Sequence, residues 1–347
     1  MWKMRIWRWA VFGLACVLAL AGSWGSALGQ RRMDRVMVGT VGHPSDAGMY
    51  IAMEKGYFAE EGIEISLNNT FRTGGQTIPL LATGQLHVGG GALDPAFINA
   101  IHQGINLKVV AGKGIIRRGN GFNVLLVRRE LYERGLRSIA GLRGRKLAVT
   151  NLEGAVTFEV QEMLKTAGLS LRDVDLVVLP NPEMPVALQN GAVDAAFVIE
   201  PVATVATYRL KSAVILMTAD RVVHDFPIGV IFYGPAILAH PDLAVRWMTA
   251  YIRGLRYYDV AMRDPSVREE VIRIFLKYLP FKDVEVYRNM IWPGLRPDGT
   301  FNVGYVRPLQ EFMLERRAIR AVVPTEQLVD FSYLQKALDR IRERGSR

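Results

Sequence analysis

The first candidate site in this sequence is a short polar segment that follows an apolar run. Residues 36–39 form the run, and His43, Ser45 and Asp46 come soon after it. In open α/β sheets, ligands bind outside the carboxyl ends of the strands, so these three side chains are candidate ligand contacts. Two alternatives stay open. His43 can face solvent as an ordinary loop residue, and Ser45 or Asp46 can cap the helix that follows.

Two glycine-containing segments have the pattern of a helix entrance after a strand. Thr73, Gly74 and Gly75 precede one apolar-periodic run, and Gly154 and Thr157 lie at the start of another. Glycine exposes backbone N–H groups at such an entrance, which suits an anionic or carbonyl-bearing ligand. Neither G-x-G-x-x-G nor a P-loop is present, so a nucleotide is not indicated. All five residues are therefore candidate ligand contacts.

Two acids, a glycine and a tyrosine complete the set of candidates. Gly91 ends a short strand-like run, and Asp94 opens the next helix, where it can either cap that helix or contact the ligand. Glu200 ends another buried run, just before Pro201, and the same two alternatives hold for its carboxylate. Tyr233 lies in an apolar run and offers a ring for stacking.

Covalent and metal chemistry are not indicated by the motifs. Cys16 is the only cysteine and lies in the amino-terminal apolar run, so the rest of the chain has no thiol nucleophile or thiolate ligand. His43 and His87 lack a serine or cysteine partner at a recognised spacing, and neither G-x-S-x-G nor H-E-x-x-H occurs. We expect no cofactor, no metal site and no catalytic residue.

The elements that must hold these candidates have the pattern of parallel α/β units. Gly56 and Gly62 are typical helix stops, and residues 63–67 then alternate apolar and polar like a half-buried strand. With the run at 36–39 they make a strand–helix–strand unit, the building block of a parallel sheet. Beyond residue 241 the pattern changes to amphipathic helices, predicted at 243–262, 267–279, 284–291, 309–317 and 325–341.

Three longer segments resemble one known family. They read AMEKGYFAEEGIEI at residues 52–65, SIAGLRGRKLAV at 138–149 and ALQNGAVDAAFVIEP at 187–201. They are similar to segments of the periplasmic solute-binding proteins of ABC transporters, in the branch that takes up nitrate, sulfonates, taurine and thiamine-pyrimidine precursors. The resemblance covers about residues 36–233, and His87 stands where that family has aspartate.

The resemblance implies an α/β fold with two lobes, the type II periplasmic-binding-protein fold. Each lobe would be a mixed, mostly parallel sheet flanked by helices, with the ligand in the cleft between the lobes. We predict lobe 1 at residues 33–121 plus 221–347 and lobe 2 at 122–220, with residues 113–121 a loop before the first crossover. The family also implies a small-molecule ligand, a monomer, and as partners an ABC permease and its ATPase subunit.

The amino terminus has the pattern of a secretory signal peptide at residues 1–29. Three basic residues precede an apolar run at 10–21, and small residues follow. The run is short for a membrane span, and an uncleaved anchor is the alternative. We expect a periplasmic protein that begins near Gln30. The formal net charge is +10, but no basic stripe with interleaved aromatic residues indicates nucleic acid.

Three functions are compatible with these patterns. The first is the substrate-binding subunit of an importer; the others are an enzyme of the same fold acting on a small metabolite and a ligand-loaded receptor for a membrane sensor. Helix N-termini at the candidate site favour a negative charge, whereas Asp46, Asp94 and Glu200 oppose it. We therefore expect a small organic solute carrying hydrogen-bond donors, pyrimidine-like or sulfonate/taurine-like, rather than nitrate.

Overall fold

The computed structural model describes residues 33–345, so the predicted signal peptide lies outside the described residues. The strands are β1 (Asp34–Gly39), β2 (Ile63–Asn68), β3 (Val88–Gly91), β4 (Lys108–Gly112), β5 (Ile115–Ile116), β6 (Asn123–Arg128), β7 (Lys146–Val149), β8 (Asp175–Val178), β9 (Ala195–Ile199), β10 (Ala213–Thr218), β11 (Phe226–Pro227) and β12 (Val230–Tyr233).

The α-helices surround these strands. They are α1 (Ala47–Glu54), α2 (Tyr57–Glu60), α3 (Ile78–Ala82), α4 (Pro95–His102), α5 (Arg129–Glu133), α6 (Ala155–Lys165), α7 (Met184–Gln189), α8 (Val202–Thr204), α9 (Pro235–Leu238), α10 (Pro241–Ala261), α11 (Pro265–Tyr278), α12 (Val284–Asn289), α13 (Val306–Glu315), α14 (Thr325–Leu328) and α15 (Ser332–Gly345). Within residues 33–345, no helix combines the length and the apolar character that crossing a bilayer requires.

Sheet one has the strand order β2-β1-β3-β12-β4. β1 is parallel to β2 and β3, and β12 is antiparallel to β3 and β4. The unit β1–α1–α2–β2 follows the predicted pattern, because Gly56 and Gly62 take left-handed φ values of 72° and 70° that end the helical turns. The carboxyl ends of β1, β2 and β3 therefore lie along one edge of the sheet.

Sheet two has the strand order β10-β6-β9-β7-β8. β7 is parallel to β8 and β9, while β6 is antiparallel to both β9 and β10. The first residue of β6, Asn123, pairs with the last residue of β9, Ile199. The amino end of β6 therefore lies at the same edge as the carboxyl ends of β7, β8 and β9. Both sheets are mixed and flanked by helices, as the sequence predicts.

A short ribbon forms where the chain passes between the two sheets. β5 and β11 pair antiparallel, with Phe226 opposite Ile116 and Pro227 opposite Ile115. The prediction of a loop throughout residues 113–121 is therefore wrong at β5. The lobe boundaries at 121/122 and 220/221 stay predictions.

The predicted helix at 325–341 is interrupted. The chain forms α14, leaves helical geometry at Val329, and restarts as α15 at Ser332. Val329 makes a parallel bridge to Val109 of β4, and Asp330 donates its backbone N–H to the Val109 carbonyl. Backbone groups that pair with a strand cannot continue a helix, and an amphipathic pattern does not reveal such a partner.

Large aromatic side chains of α10 pack in the core between this helix, α1 and sheet one. Trp247 stacks on Tyr251, and both are fully buried. The two helices approach closely at Gly48 and Gly254, where a Cβ on Gly254 would lie 1.9 Å from the Gly48 carbonyl oxygen. This packing supports the sheet from the side of α1, which begins directly after Asp46.

Candidate functional site

The loop after β1 reaches the first residues of sheet two. The His43 ring meets the Phe122 ring edge-on, with centroids 5.4 Å apart and an interplanar angle of 86°. Phe122 also accepts a backbone hydrogen bond from Glu200 N, at 3.0 Å. The strand ends of the two sheets, which carry most of the candidate residues, are thus in contact through this loop.

A buried ion pair lies at the start of α1. Lys113 Nζ is 2.7 Å from Asp46 Oδ1, and both residues are about 1% exposed. The other carboxylate oxygen, Oδ2, accepts the His43 backbone N–H at 3.0 Å. Lys113 extends over Gly90 and Gly229, where a Cβ would approach its side chain to 3.2 and 3.1 Å. The two opposite charges therefore neutralise each other at the edge of sheet one where β1, β2 and β3 end. This edge, and the edge of sheet two where β7, β8 and β9 end, are called the ligand edges, because most candidate residues lie there.

His43 and Ser45 join the same cluster. Ser45 Oγ lies 3.3 Å from His43 Nδ1 and 3.2 Å from Lys113 Nζ. Burial, and secondarily the charge of Lys113, lowers the pKa of His43 to about 3. His43 is therefore neutral at physiological pH. The alternative in which His43 is a free, solvent-facing loop residue does not describe this half-buried ring.

This cluster is not arranged as a hydrolytic site. An ammonium group that is paired with a carboxylate has no lone pair with which to take the Ser45 proton, so Lys113 is not a general base here. Ser45 is only 2% exposed, which leaves little room for a substrate carbonyl at its oxygen. In this arrangement the cluster holds the loop after β1 in place through its internal hydrogen bonds and ion pair.

The Gly74–Gly75 entrance is filled by Asp94. The Asp94 carboxylate accepts the Ala96 backbone N–H at 3.1 Å, which caps α4, and it also accepts from Gly75 and Phe97. Burial nevertheless raises the pKa of Asp94 to about 6. The donors that the sequence offers to an anion at Gly75 therefore already face an internal carboxylate. The capping alternative for Asp94 describes this geometry.

The glycines at this entrance allow two loops to touch. A Cβ on Gly91 would lie 2.4 Å from the Gly74 Cα. Thr73 is half-buried just before the turn at Gly74–Thr77, whose Gln76 donates its backbone N–H to the Thr73 carbonyl. The structure thus brings Thr73, Gly74, Gly75, Gly91 and Asp94 together at the ends of β2 and β3.

The entrance to α6 lies on the ligand edge of sheet two. Asn151 Oδ1 accepts the Gly154 N–H at 2.7 Å, and Thr157 donates its hydroxyl to the Asn151 carbonyl at 2.5 Å. Thr157 is fully buried, so its hydroxyl serves the turn in this arrangement. Gly154 and Thr157 are therefore near one another at the start of α6, beside sheet two, whereas Gly75 lies in the turn beside sheet one.

Glu200 joins sheet two to the segment after α12. Its carboxylate accepts the Thr204 N–H and hydroxyl at 2.9 and 3.0 Å and the Ile291 N–H at 3.2 Å. Burial raises the pKa of Glu200 to about 7, against the effect of these hydrogen bonds. Both oxygens are in use, so the capping alternative describes Glu200 in this structure.

Tyr233 does not lie with the other candidates. It is opposite Val88 in the sheet, at the amino end of β3, and its buried hydroxyl donates to the Ala244 carbonyl at 2.7 Å. The antiparallel direction of β12 is the reason, because its carboxyl end lies at the edge opposite the ligand edge. His87 lies at that far edge too, where its Nδ1 accepts the Met37 N–H.

Aromatic side chains form an apolar contact between α6 and neighbouring segments. Phe158 of α6 stacks on Phe226 with centroids 5.6 Å apart, and it meets Phe312 of α13 edge-on at 5.7 Å. Tyr305 meets Phe226 edge-on at 5.0 Å. The role of Phe158 in this contact is not anticipated from the sequence.

Three buried polar residues at this edge are missed by sequence reasoning. Lys113 follows β4 directly, and its position at a strand end is a signal that could have found it. Asn123 and Glu159 pair inside sheet two, with Asn123 Nδ2 2.9 Å from Glu159 Oε2. A polar residue opening an otherwise apolar strand, and an acid on the apolar face of α6, are the corresponding signals.

Two mixed sheets joined by a ribbon, with candidate binding residues at facing strand ends, define the type II periplasmic-binding-protein fold. Residues 43–266 match the family model described as NMT1/THI5 like, and the chain belongs to this family. A Bacillus subtilis (strain 168) protein named as a candidate aliphatic sulfonates-binding protein is 24% identical over 339 residues, 93% of this chain and 94% of that protein.

Solved structures share the same fold at low sequence identity. The alkanesulfonate-binding protein SsuA from Xanthomonas axonopodis pv. citri, bound to MOPS, aligns with a TM-score of 0.65 at 18% identity, over 85% of this chain and 98% of that one. The nitrate-binding protein NrtA from Synechocystis PCC 6803 aligns with a TM-score of 0.69 at 16% identity, over 89% of each chain. An enzyme, the desulfurization enzyme DSZB, aligns at 0.60 and 14%, over 89% of this chain and 100% of that one.

Proposed function

We propose that this chain is the extracytoplasmic substrate-binding subunit of an ABC importer. It captures a small organic solute between its two sheets by hinge closure and delivers the solute to a membrane permease. The family membership and the solute-binding relatives support this role. The position of the candidate residues supports it too, because they come from loops at the facing strand ends of two different sheets.

The proposed chemical class of the solute rests on how the acidic groups of the site are already paired within the protein. Asp46 is paired with Lys113, Asp94 accepts backbone N–H groups, and Glu200 accepts from Thr204 and Ile291. A bare anion would have to displace these carboxylates from donors that they already occupy, which would leave buried acceptors without partners. This arrangement disfavours nitrate and favours an organic solute with its own donors.

The apolar part of the solute would contact the aromatic side chains beside α6. Phe158 and Phe226 stack on one another and are buried in this arrangement, so the solute would reach these rings when the two sheets move apart. A solute with a ring or a short alkyl body and an amino group combines both requirements. An amino-pyrimidine and an amino-sulfonate such as taurine are the two classes that we propose.

A thermal-shift screen tests the solute class. The mature protein is heated with taurine, ethanesulfonate, 4-aminopyrimidine, pyrimidine and sodium nitrate, each over a range of concentrations. A solute present at 100 times its Kd stabilises the folded state by about 2.7 kcal/mol. We expect an amino-bearing probe to raise the melting temperature more than its partner without the amino group.

A different outcome would contradict the proposal. If nitrate or ethanesulfonate alone raises the melting temperature, the argument from paired charges is wrong, although a binding function would remain. If none of the five probes acts, the proposed solute classes are wrong.

We further propose that the protein is exported and processed. The signal-peptide pattern at residues 1–29 supports this, and the relatives include periplasmic binding proteins. Expression in a Gram-negative host, osmotic-shock release and amino-terminal sequencing test it. We expect a first residue near Gln30 in the shock fluid; a chain that begins at Met1 and stays with the membrane would support the anchor alternative.

A further inference from the structure

Asn123 and Glu159 form a buried polar pair between sheet two and α6. Neither residue is among the ligand contacts discussed above. Asn123 opens β6 and Glu159 lies on α6, and each residue is about 1% exposed. Asn123 Nδ2 donates to both carboxylate oxygens of Glu159, at 3.1 and 2.9 Å. The amide is therefore held from one side only.

The amide oxygen of Asn123 is left without a partner. In the structure the amide nitrogen faces both Glu159 oxygens, at least one of which accepts a hydrogen bond in either protonation state of Glu159, so the amide oxygen points elsewhere. Within residues 33–345, Asn123 Oδ1 is buried and makes no hydrogen bond. Buried polar atoms are nearly always paired, and an unpaired one weakens the folded state, so this oxygen calls for an explanation.

The position of Asn123 in sheet two explains why its amide oxygen has no partner within the protein. Asn123 pairs with Ile199, the last residue of β9, and its neighbour Phe122 touches both His43 and the Glu200 backbone. Asn123 therefore lies at the ligand edge of sheet two, near the centre of the strand order, where β6 adjoins β9. A solute in the proposed cleft would meet this part of the sheet.

We propose that Asn123 is a specificity-determining residue, whose Oδ1 accepts a hydrogen bond from an N–H or O–H donor of the bound solute. Glu159 is its positioning residue, because its two oxygens contact the amide nitrogen and leave Oδ1 on the opposite side of the amide. The inference rests on the proposed function and narrows it to solutes that carry a donor. A solute without the donor leaves the buried oxygen unpaired and is disfavoured.

Matched probe pairs test the preference directly. Taurine and ethanesulfonate differ in an amino group, as do 4-aminopyrimidine and pyrimidine. In whichever probe pair binds, we expect the wild-type protein to bind the probe with the amino group roughly tenfold more tightly or better. This is the scale of one hydrogen bond to a buried acceptor that otherwise has no partner. Isothermal titration calorimetry measures both Kd values, and their ratio is the readout.

Three variants separate recognition from stability. Asn123→Ala removes the acceptor, and we expect the Kd ratio to fall roughly tenfold. Glu159→Gln keeps the shape and has two amide N–H donors in place of at most one O–H; either can hold Asn123 Oδ1 once the Asn123 amide turns, so we expect the ratio to fall here too. Asn99→Ala is the control, because Asn99 is a half-buried asparagine of α4 whose amide donates to the Ala318 carbonyl, and we expect no change in the ratio.

The measured Kd ratios decide whether Asn123 determines the specificity for a solute with a donor. If the wild type prefers the amino probe and the preference survives both Asn123→Ala and Glu159→Gln, the inference is wrong while the importer function stands. If Asn123→Ala does not fold, Glu159→Gln decides alone. If no probe of either pair binds the wild type, the proposed solute class fails and this inference fails with it.

Discussion

The Asp46–Lys113 ion pair is almost fully out of solvent, so its two charges depend on one another. Removing one partner of such a pair leaves an uncompensated buried charge and typically costs about 3–5 kcal/mol. We expect Lys113→Met to lower the free energy of unfolding by this amount, measured by urea denaturation at pH 7.

Two comparisons check that prediction. The double variant Asp46→Asn with Lys113→Met should lose clearly less than the sum of the single variants, because no unpaired charge remains. Arg307→Gln breaks an exposed i,i+4 pair with Glu311, 2.8 Å long, and should change stability by less than about 0.5 kcal/mol. Equal losses for Lys113→Met and Arg307→Gln would contradict the buried-pair argument.

Glu159 makes the stability of the fold depend on pH. Burial raises the pKa of Glu159 from 4.5 to about 8, so between these values the unfolded chain releases a proton that the folded chain retains. Stability from this group is therefore complete below pH 4.5 and is lost as the pH rises through about 8. His43, whose pKa is lowered to about 3, acts in the opposite direction as the pH falls below 6.5.

Glu159→Gln isolates that dependence, because glutamine does not titrate and His43 is present in both proteins. We expect the free energy of unfolding of the wild type, relative to the variant, to fall by on the order of 4 kcal/mol between pH 5 and pH 9, since three pH units separate pH 5 from the Glu159 pKa of about 8 and each is worth about 1.4 kcal/mol. Parallel stability–pH curves for the two proteins would show that Glu159 does not titrate as its burial indicates.

Sequence proximity explains which residues of the site could be anticipated. His43, Ser45 and Asp46 lie within one loop, so a single strand-end argument predicts them together. Lys113 is 68 residues from Ser45, and its place directly after β4 makes it a candidate but does not reveal that Asp46 is its partner. Tyr233 fails for a related reason, since the direction of its strand in the sheet depends on pairing that the sequence does not display.

At the scale of elements, the sequence predicts units that are stabilised locally and misses those that depend on a distant partner. β1, α1 and β2 follow from alternation and glycine stops. The break between α14 and α15 does not, because it depends on Val109 accepting a hydrogen bond from Asp330. The two-residue strands β5 and β11 cannot be predicted locally either, because each is defined only by its pairing with the other, far along the chain.

The crossing of α1 and α10 gives a test at this scale. Glycine to alanine normally stabilises a helix interior by about 1 kcal/mol. At Gly254 the added Cβ would lie 1.9 Å from the Gly48 carbonyl oxygen, so the helices must separate. We expect Gly254→Ala to destabilise the protein by about 2 kcal/mol or more, the scale of overpacking in a close-packed core.

Gly345→Ala is the matched control. Gly345 is also helical, in α15, and an added Cβ there meets nothing within 4 Å. Thermal or urea unfolding should show no loss for this variant. A Gly254→Ala protein as stable as Gly345→Ala would mean that α1 and α10 do not cross as closely as described.

At the scale of the whole molecule, the contacts across the candidate cleft describe a closed arrangement. His43 touches Phe122, and Phe158 packs on both Phe226 and Phe312. A solute that binds between the two sheets, as proposed, would require such contacts to open, and we propose that the segments around the β5–β11 ribbon act as the hinges. The ligand-free protein should therefore populate a more open form, and a solute that bridges the sheets should shift the population towards closure.

Small-angle X-ray scattering of the mature protein tests this closure. We expect the radius of gyration without solute to exceed the value calculated from residues 33–345 of this structure. It should fall towards that value as taurine or 4-aminopyrimidine, whichever raises the melting temperature, is added to saturation. The partner probe without the amino group, at the same concentration, should leave the scattering nearly unchanged. A radius of gyration that stays constant up to saturation would mean that the solute binds without hinge motion, because binding that favours neither form cannot shift the population between them.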